Sequence, residues 1–336
     1  MTDRTPTRPG GRWEWVPPVL AVGLLAGWGW TVLRRVPAGR GDRVLTLLGF
    51  VLLVLPALLF TTDRFRELLR SRRRPLQEIW FPAWLLFAHA VYLAGPGRLA
   101  GAWSLLLLAY LWVPVGCAVM ARSSRLPGPW DWIALLSLYL PVELALLAPA
   151  WEPAGAGLPS PAHTLAQLTG VNLALFCFLC VRDLPEIGYR FHLSGGDLLR
   201  GAAAFALFFP VAVGFGARTG LVPFAPHWPD PGRIPGEVLG VTFLVALPEE
   251  LFFRGILQNL LVRIRPTPGG RTAGLVGASV LFGLSHLNNH PRFDWRYVVI
   301  ATLAGLVYGW VYRATGKVTA SAVPHALVDI VWRLGF

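Results

Sequence analysis

The stretch EVLGVTFLVALPEELFFRGILQNLLVRI, residues 237–264, decides how this chain must be read. It is longer than the ~20 apolar residues that cross a bilayer core as a helix, yet Glu249, Glu250 and Arg254 stand in its middle. An ionisable side chain at the centre of a membrane helix costs about 2.5–3.5 kcal/mol on insertion scales. Such a segment is stable only where its charged groups face other helices and its apolar residues face lipid. The stretch therefore predicts a helix of a membrane bundle with polar groups turned inward.

The rest of the chain agrees. Of 336 residues, 54% are hydrophobic and 14% charged, against about 25% charged in ordinary soluble domains. The mean hydropathy is +0.54. Apolar runs recur near 16–36, 44–61, 79–95, 99–120, 130–150, 165–181, 201–216, 237–264, 272–288, 295–313 and 318–334. The expected fold class is all-α, a polytopic transmembrane helix bundle with about 9–11 membrane segments. The first run follows Arg4, Arg8 and Arg12 and lacks a small-residue cleavage site, so it reads as an uncleaved anchor.

The net charge of +12 does not point to nucleic acid, because the basic residues sit in short segments between apolar runs. The cluster Arg64, Arg66, Arg70, Arg72, Arg73 and Arg74 fits a cytoplasmic loop beside anionic headgroups. Alternation from that loop places 121–129, 182–200 and 265–271 on the same side and the arginine-free loop 148–164 opposite. Arg34, Arg35, Arg40 and Arg43 disagree with the scheme, which makes the first two segments a candidate re-entrant or displaced pair. Residues Arg182, Asp183, Glu186, Tyr189, Arg190 and Phe191 read as a short interfacial helix. Cys177 and Cys180 form a CxxC inside an apolar run, and with Cys117 they read as buried small hydrophobes. Two small-residue stripes, Ala301/Gly305/Gly309 and Gly23/Gly27, predict close helix packing.

Ionisable groups within the apolar runs carry the functional signal. Outside the C-terminal third they are His89 and Glu143, both read as packing groups, and Asn172 is expected to hydrogen-bond between helices. In the 237–264 stretch, adjacent helical positions differ by about 100°, so Glu249 and Glu250 are expected to serve different faces. Glu250 and Arg254 are four apart in the order that favours an ion pair. Glu249 then has no cation on its own helix, and an unpaired carboxylate in a sheltered site suits a general base. The next segment carries Phe282-Gly283-Leu284-Ser285-His286, and the last carries His325-Ala326-Leu327-Val328-Asp329, with the acid on the face of the histidine. Counted from the 265–271 loop, Glu249 lies about 22 Å and His286 about 21 Å along antiparallel helices. His325 and Asp329 lie about 10 to 17 Å in from their own end, where Pro324 can bend the helix.

E-E-x-x-x-R, F-x-x-x-H and H-x-x-x-N/D on successive apolar helices resemble the CPBP family. That family includes the type II CAAX prenyl endopeptidases and the bacteriocin-processing or self-immunity (Abi-like) proteins. The resemblance covers 237–336 and divides the chain into 1–200, a transmembrane region without a recognised motif, and 201–336, a CPBP-like intramembrane protease region. It implies an integral-membrane endopeptidase, in the inner membrane of a bacterium, acting on a membrane-anchored protein or peptide. By it Glu249 activates water with help from His286, and His325 with Asp329 stabilises the oxyanion. Glu250, Arg254 and Phe282 support them. Many members have Asn where Asp329 stands; an ionised Asp cannot donate to an oxyanion. Asp329 is therefore expected to be protonated, to act on His325, or to ligate a metal. The favoured mechanism is glutamic and needs no cofactor. Zinc held by Glu249, His286, His325 and Asp329 is the alternative. Other functions of the same fold are a non-catalytic immunity or scaffold protein and, without repeat symmetry to favour it, a proton-coupled transporter.

Overall fold

The computed structural model describes residues 13–35, 39–71, 74–95, 102–151, 162–185, 187–221, 226–288 and 293–336. Arg4, Arg8, Arg12, Arg72, Arg73, Glu186 and most of the 148–161 loop lie outside them. Among the described residues the chain is helical with no strand. It divides into two compact units, Met1–Leu184 and Pro185–Phe336.

The first unit contains α1 (Val16–Leu33), α2 (Arg40–Leu59), α3 (Asp63–Ser71), α4 (Arg74–Leu93), α5 (Ala102–Ala121), α6 (Pro129–Glu143) and α7 (Ala162–Val181). The second contains α8 (Gly195–Thr219), α9 (234–264), α10 (Pro268–Ser285), α11 (Trp295–Thr315) and α12 (Val318–Gly335). Each of the eleven apolar runs falls on a helix. Among the described residues six helices are long and apolar enough to cross a membrane, namely α1, α2, α5, α7, α8 and α11. This is an integral membrane protein. Of the pair formed by α1 and α2, each helix is long enough to cross. On α8, Leu199, Leu207 and Val211 are exposed while Ala204 and Phe208 are buried.

In the first unit, α7 is lined almost wholly by buried residues. Asn172 donates to the Leu53 carbonyl of α2 at 2.8 Å and to Leu168 of its own helix at 2.8 Å, the interhelical bond expected of it. Cys117, Cys177 and Cys180 are buried free thiols. His89 is buried edge-on to Trp151 at 4.8 Å. The close packing expected at Gly23 and Gly27 is absent: no described atom comes within 4 Å of where a Cβ would stand at either position.

The second unit is tied together by its helix starts. Ser194 caps α8, its hydroxyl accepting from the Asp197 amide at 3.2 Å while the Asp197 carboxylate accepts from the Ser194 amide at 2.9 Å. Asp197 also pairs with Lys317 at 2.7 Å, which joins the start of α8 to the start of α12. The interfacial helix expected near 182–191 does not form. The described residues of 187–191 are non-helical. Their backbone carbonyls are taken by unit-2 partners: Gly188 by the Val318 amide at 3.0 Å, Ile187 by the Tyr312 hydroxyl at 3.2 Å, and Arg190 by the Thr319 hydroxyl at 2.7 Å. Tertiary hydrogen bonds thus outcompete the local helix signal.

Two local choices aim the polar helices. Pro248 lacks the amide that would bond the Leu244 carbonyl, and α9 widens to π turns over Thr242–Ala246, with a second wide stretch over Leu251–Gln258. At Gly283 a Cβ would stand 2.0 Å from the Thr302 hydroxyl and 2.6 Å from the Val298 carbonyl. Only glycine lets α10 cross α11 so closely, and that crossing sets the positions of Phe282 and His286. Gly305 against Ser279, and Gly309 against Leu275 and Gln258, continue the contact as the stripe predicts.

Candidate active site

The candidate residues of α9, α10 and α12 lie around His325. Its Nδ1 is 2.9 Å from Glu250 Oε1. Its Nε2 is 3.7 Å from Glu249 Oε2 and 4.0 Å from Asp329 Oδ2. The two adjacent glutamates therefore both reach His325, one at each ring nitrogen, which corrects the expectation that they serve different faces. The imidazole is wide enough to bridge the 100° between neighbouring side chains, because it enters edgewise from another helix. Glu250 accepts from Nδ1, so the lone pair of a neutral His325 is at Nε2, facing the two remaining carboxylates.

Glu250 is fully buried. Besides His325 it holds Arg254, whose Nε is 3.1 Å from Oε2, and it accepts a hydrogen bond from the Ser321 hydroxyl. The Arg254 guanidinium is also fully buried and lies over the Phe282 ring at 4.8 Å from its centroid. This ion pair is the one expected from the i,i+4 spacing. A cation over an aromatic face gains further stabilisation when desolvated. Phe282 itself stands edge-on to Phe253 at 5.0 Å and to His325 at 5.8 Å.

Glu249 differs from Glu250 in every respect that bears on chemistry. Its side chain is 27% exposed, while its Oε2 is buried and has no hydrogen-bond partner among the described residues. Asp329 is exposed to a similar degree, at 30%. The cluster is thus closed on the Glu250–Arg254 side and open on the Glu249–Asp329 side. The separations of 3.7 and 4.0 Å from His325 Nε2 exceed a direct hydrogen bond and leave room for a bridging water.

His286 directly follows the last residue of α10 and opens a 3₁₀ turn, His286–Asn288. Its Nδ1 lies 2.8 Å from the Phe282 carbonyl. A carbonyl only accepts, so Nδ1 carries the proton and Nε2 is left with a lone pair. The ring packs on Phe282 at 4.6 Å and on Tyr297 at 5.3 Å. It joins the cluster through Phe282, with no direct hydrogen bond to Glu249, His325 or Asp329. Two residues outside the three motifs also touch the centre. Tyr308 stacks on His325 at 4.8 Å, and Ser321 donates to Glu250. Ser321 is one helical turn before His325, so its spacing is the one signal that pointed to it.

Among the described residues no three His, Cys, Asp or Glu side chains converge to hold one ion. Both histidines have Nδ1 engaged, by Glu250 and by the Phe282 carbonyl, which leaves Nε2 as the free nitrogen of each.

A polytopic helical membrane protein with a buried carboxylate–histidine centre on neighbouring helices is the class that fold and site define. Residues 232–331 match the family described as type II CAAX prenyl endopeptidase Rce1-like. All three motifs fall inside the matched span. The chain is also similar to the uncharacterized protein YpbD of Bacillus subtilis (strain 168), 26% identical over 96 residues, which is 29% of this chain and 43% of that protein. The chain thus spans less than half the length of that curated relative. No solved structure matches.

Proposed function

We propose that the protein is an intramembrane endopeptidase that hydrolyses a peptide bond near the membrane end of a lipid-embedded protein or peptide. The observation that carries this reading is the pair of unlike carboxylates on His325. Glu250 is locked by three partners, while Glu249 is partly exposed and keeps a free oxygen 3.7 Å from Nε2. In the proposed reaction a water between Glu249 and the open Nε2 of His286 loses a proton to Glu249 and attacks the substrate carbonyl carbon. The C=O electron pair moves onto oxygen, and His325, as an imidazolium with Nδ1–H on Glu250 and Nε2–H on the open side, faces the resulting oxyanion with Asp329. Collapse breaks the C–N bond, and the proton held by Glu249 passes to the leaving amine. For Asp329 to donate to the oxyanion it is in its acid form, since an ionised carboxylate only accepts.

The family match supports CAAX-like C-terminal tails as substrates, with leader peptides and C-terminal sorting tails sharing the same chemistry: an extended segment beside a membrane anchor. The bacterial relative supports a bacterial inner membrane as the location. The test is cleavage of a farnesylated CAAX peptide, a leader peptide and a sorting-tail peptide by the purified protein in vesicles prepared in H2(18)O. The expected result is a single cut in one of them, with one 18O in the new carboxylate and no loss of rate with a chelator. Intact peptides in all three would sink the reading.

A further inference from the structure

The imidazole of His325 is held by more than the acid on its Nδ1. One face is covered by the Tyr308 ring, with centroids 4.8 Å apart and planes only 14° from parallel. Phe282 meets it edge-on. These contacts fix the plane of the ring but not which nitrogen carries the proton. That is set by Glu250 Oε1, and the carboxylate can rotate unless its other oxygen is held. Ser321 supplies part of that hold: its hydroxyl donates to Glu250 Oε2 and also lies 2.9 Å from the Tyr308 backbone carbonyl. With one proton to give, the serine stands between two acceptors, the acid of α9 and a carbonyl of the helix that carries the stacking ring. Ser321 is fully buried and Tyr308 nearly so, beyond the reach of solvent or substrate.

We infer that Ser321 and Tyr308 are positioning residues that act through Glu250 and His325, fixing the ring of His325 with Nδ1 protonated and Nε2 turned to the open side of the site. Arg254 holds the same carboxylate oxygen by charge, but its Nε–Oε2 contact does not have hydrogen-bond geometry. Removing the serine hydroxyl therefore frees the carboxylate to turn about its terminal bond, and removing the tyrosine ring frees the imidazole to tilt. The hydroxyl of Tyr308 has no part in this, so Tyr308→Phe is silent where Tyr308→Leu is not.

The inference rests on the proposed site but is tested without turnover. Protein labelled with 15N-histidine is examined by NMR in lipid vesicles, with His325→Gln assigning the signal. In the wild type His325 gives a hydrogen-bonded Nδ1–H resonance. That resonance is expected to be lost or averaged with the other tautomer in Ser321→Ala and Tyr308→Leu, and retained in Tyr308→Phe and Ser321→Thr. Retention of the wild-type resonance in both Ser321→Ala and Tyr308→Leu overturns the inference. Should Ser321→Ala fail to fold, Ser321→Cys, a far weaker donor of similar size, reads the same point. A protein that cleaves no peptide yet gives these spectra contradicts the proposed hydrolysis and leaves the positioning intact.

Discussion

In the unit ending at Leu184, three buried polar side chains are each tied to one or two fixed partners. Asn172 is tied to two carbonyls, Tyr110 to the Leu138 carbonyl, and Arg182 to Asp131 at 2.8 Å. In the unit beginning at Pro185, Glu250, Arg254, Ser321, His325, Glu249 and Asp329 form one connected set. That set ends on an oxygen with no partner. The first pattern holds helices together in separate pairs. The second also holds helices, but it retains an acceptor beside an open nitrogen. Expense alone does not mark a functional group in a membrane protein, since Arg182–Asp131 is as dearly buried as much of the site. One connected set of charged groups, partly exposed at Glu249 and Asp329, is what separates the two.

Mutations can break this contrast in order of expected size. On stability, Arg254→Ala should do the most harm, by about 3–5 kcal/mol, because it strands the Glu250 carboxylate in a dry interior. The check is the unfolding midpoint in detergent, or failure to accumulate folded protein. Arg182→Ala strands Asp131 in the same way, at the lower end of that range, about 3 kcal/mol. Molecules of this variant that do fold should turn over substrate at the wild-type rate. A selective loss of turnover there would mean that the first unit takes part in the chemistry. His89→Phe should be the mildest. Neither ring nitrogen has a hydrogen-bond partner among the described residues, so an apolar ring of similar shape should be neutral or stabilise by up to about 1 kcal/mol. A marked destabilisation in the same melting assay would show that His89 is held by a group not yet seen.

The sequence was most informative where a single spacing or period governs the outcome. Every apolar run became a helix because length and hydropathy suffice for that in lipid. Glu250 and Arg254 pair as their i,i+4 spacing requires, and the Gly305/Gly309 stripe packs closely as small residues allow. It was least informative where the partner comes from elsewhere in the chain. Helical-wheel geometry separated Glu249 from Glu250, but a third side chain entering between them reunites them at His325. Residues near 182–191 have the composition of an interfacial helix, yet their carbonyls are claimed by Tyr312, Val318 and Thr319. Gly23 and Gly27 have the same spacing as Gly305 and Gly309 without the contact. Tyr308 carried no signal, since its part depends on a stacking geometry that only the packed helices create.

The central claim is that Glu249, not Glu250, is the base, and one comparison tests it most directly. Purified wild type and Glu249→Gln, matched for helicity and unfolding midpoint, are assayed on the peptide that the wild type cleaves. The substitution keeps the shape and removes only the proton-accepting oxygen, so the account predicts a fall in kcat of about 10²–10⁴-fold with the fold intact. Turnover by Glu249→Gln at the wild-type rate would contradict it.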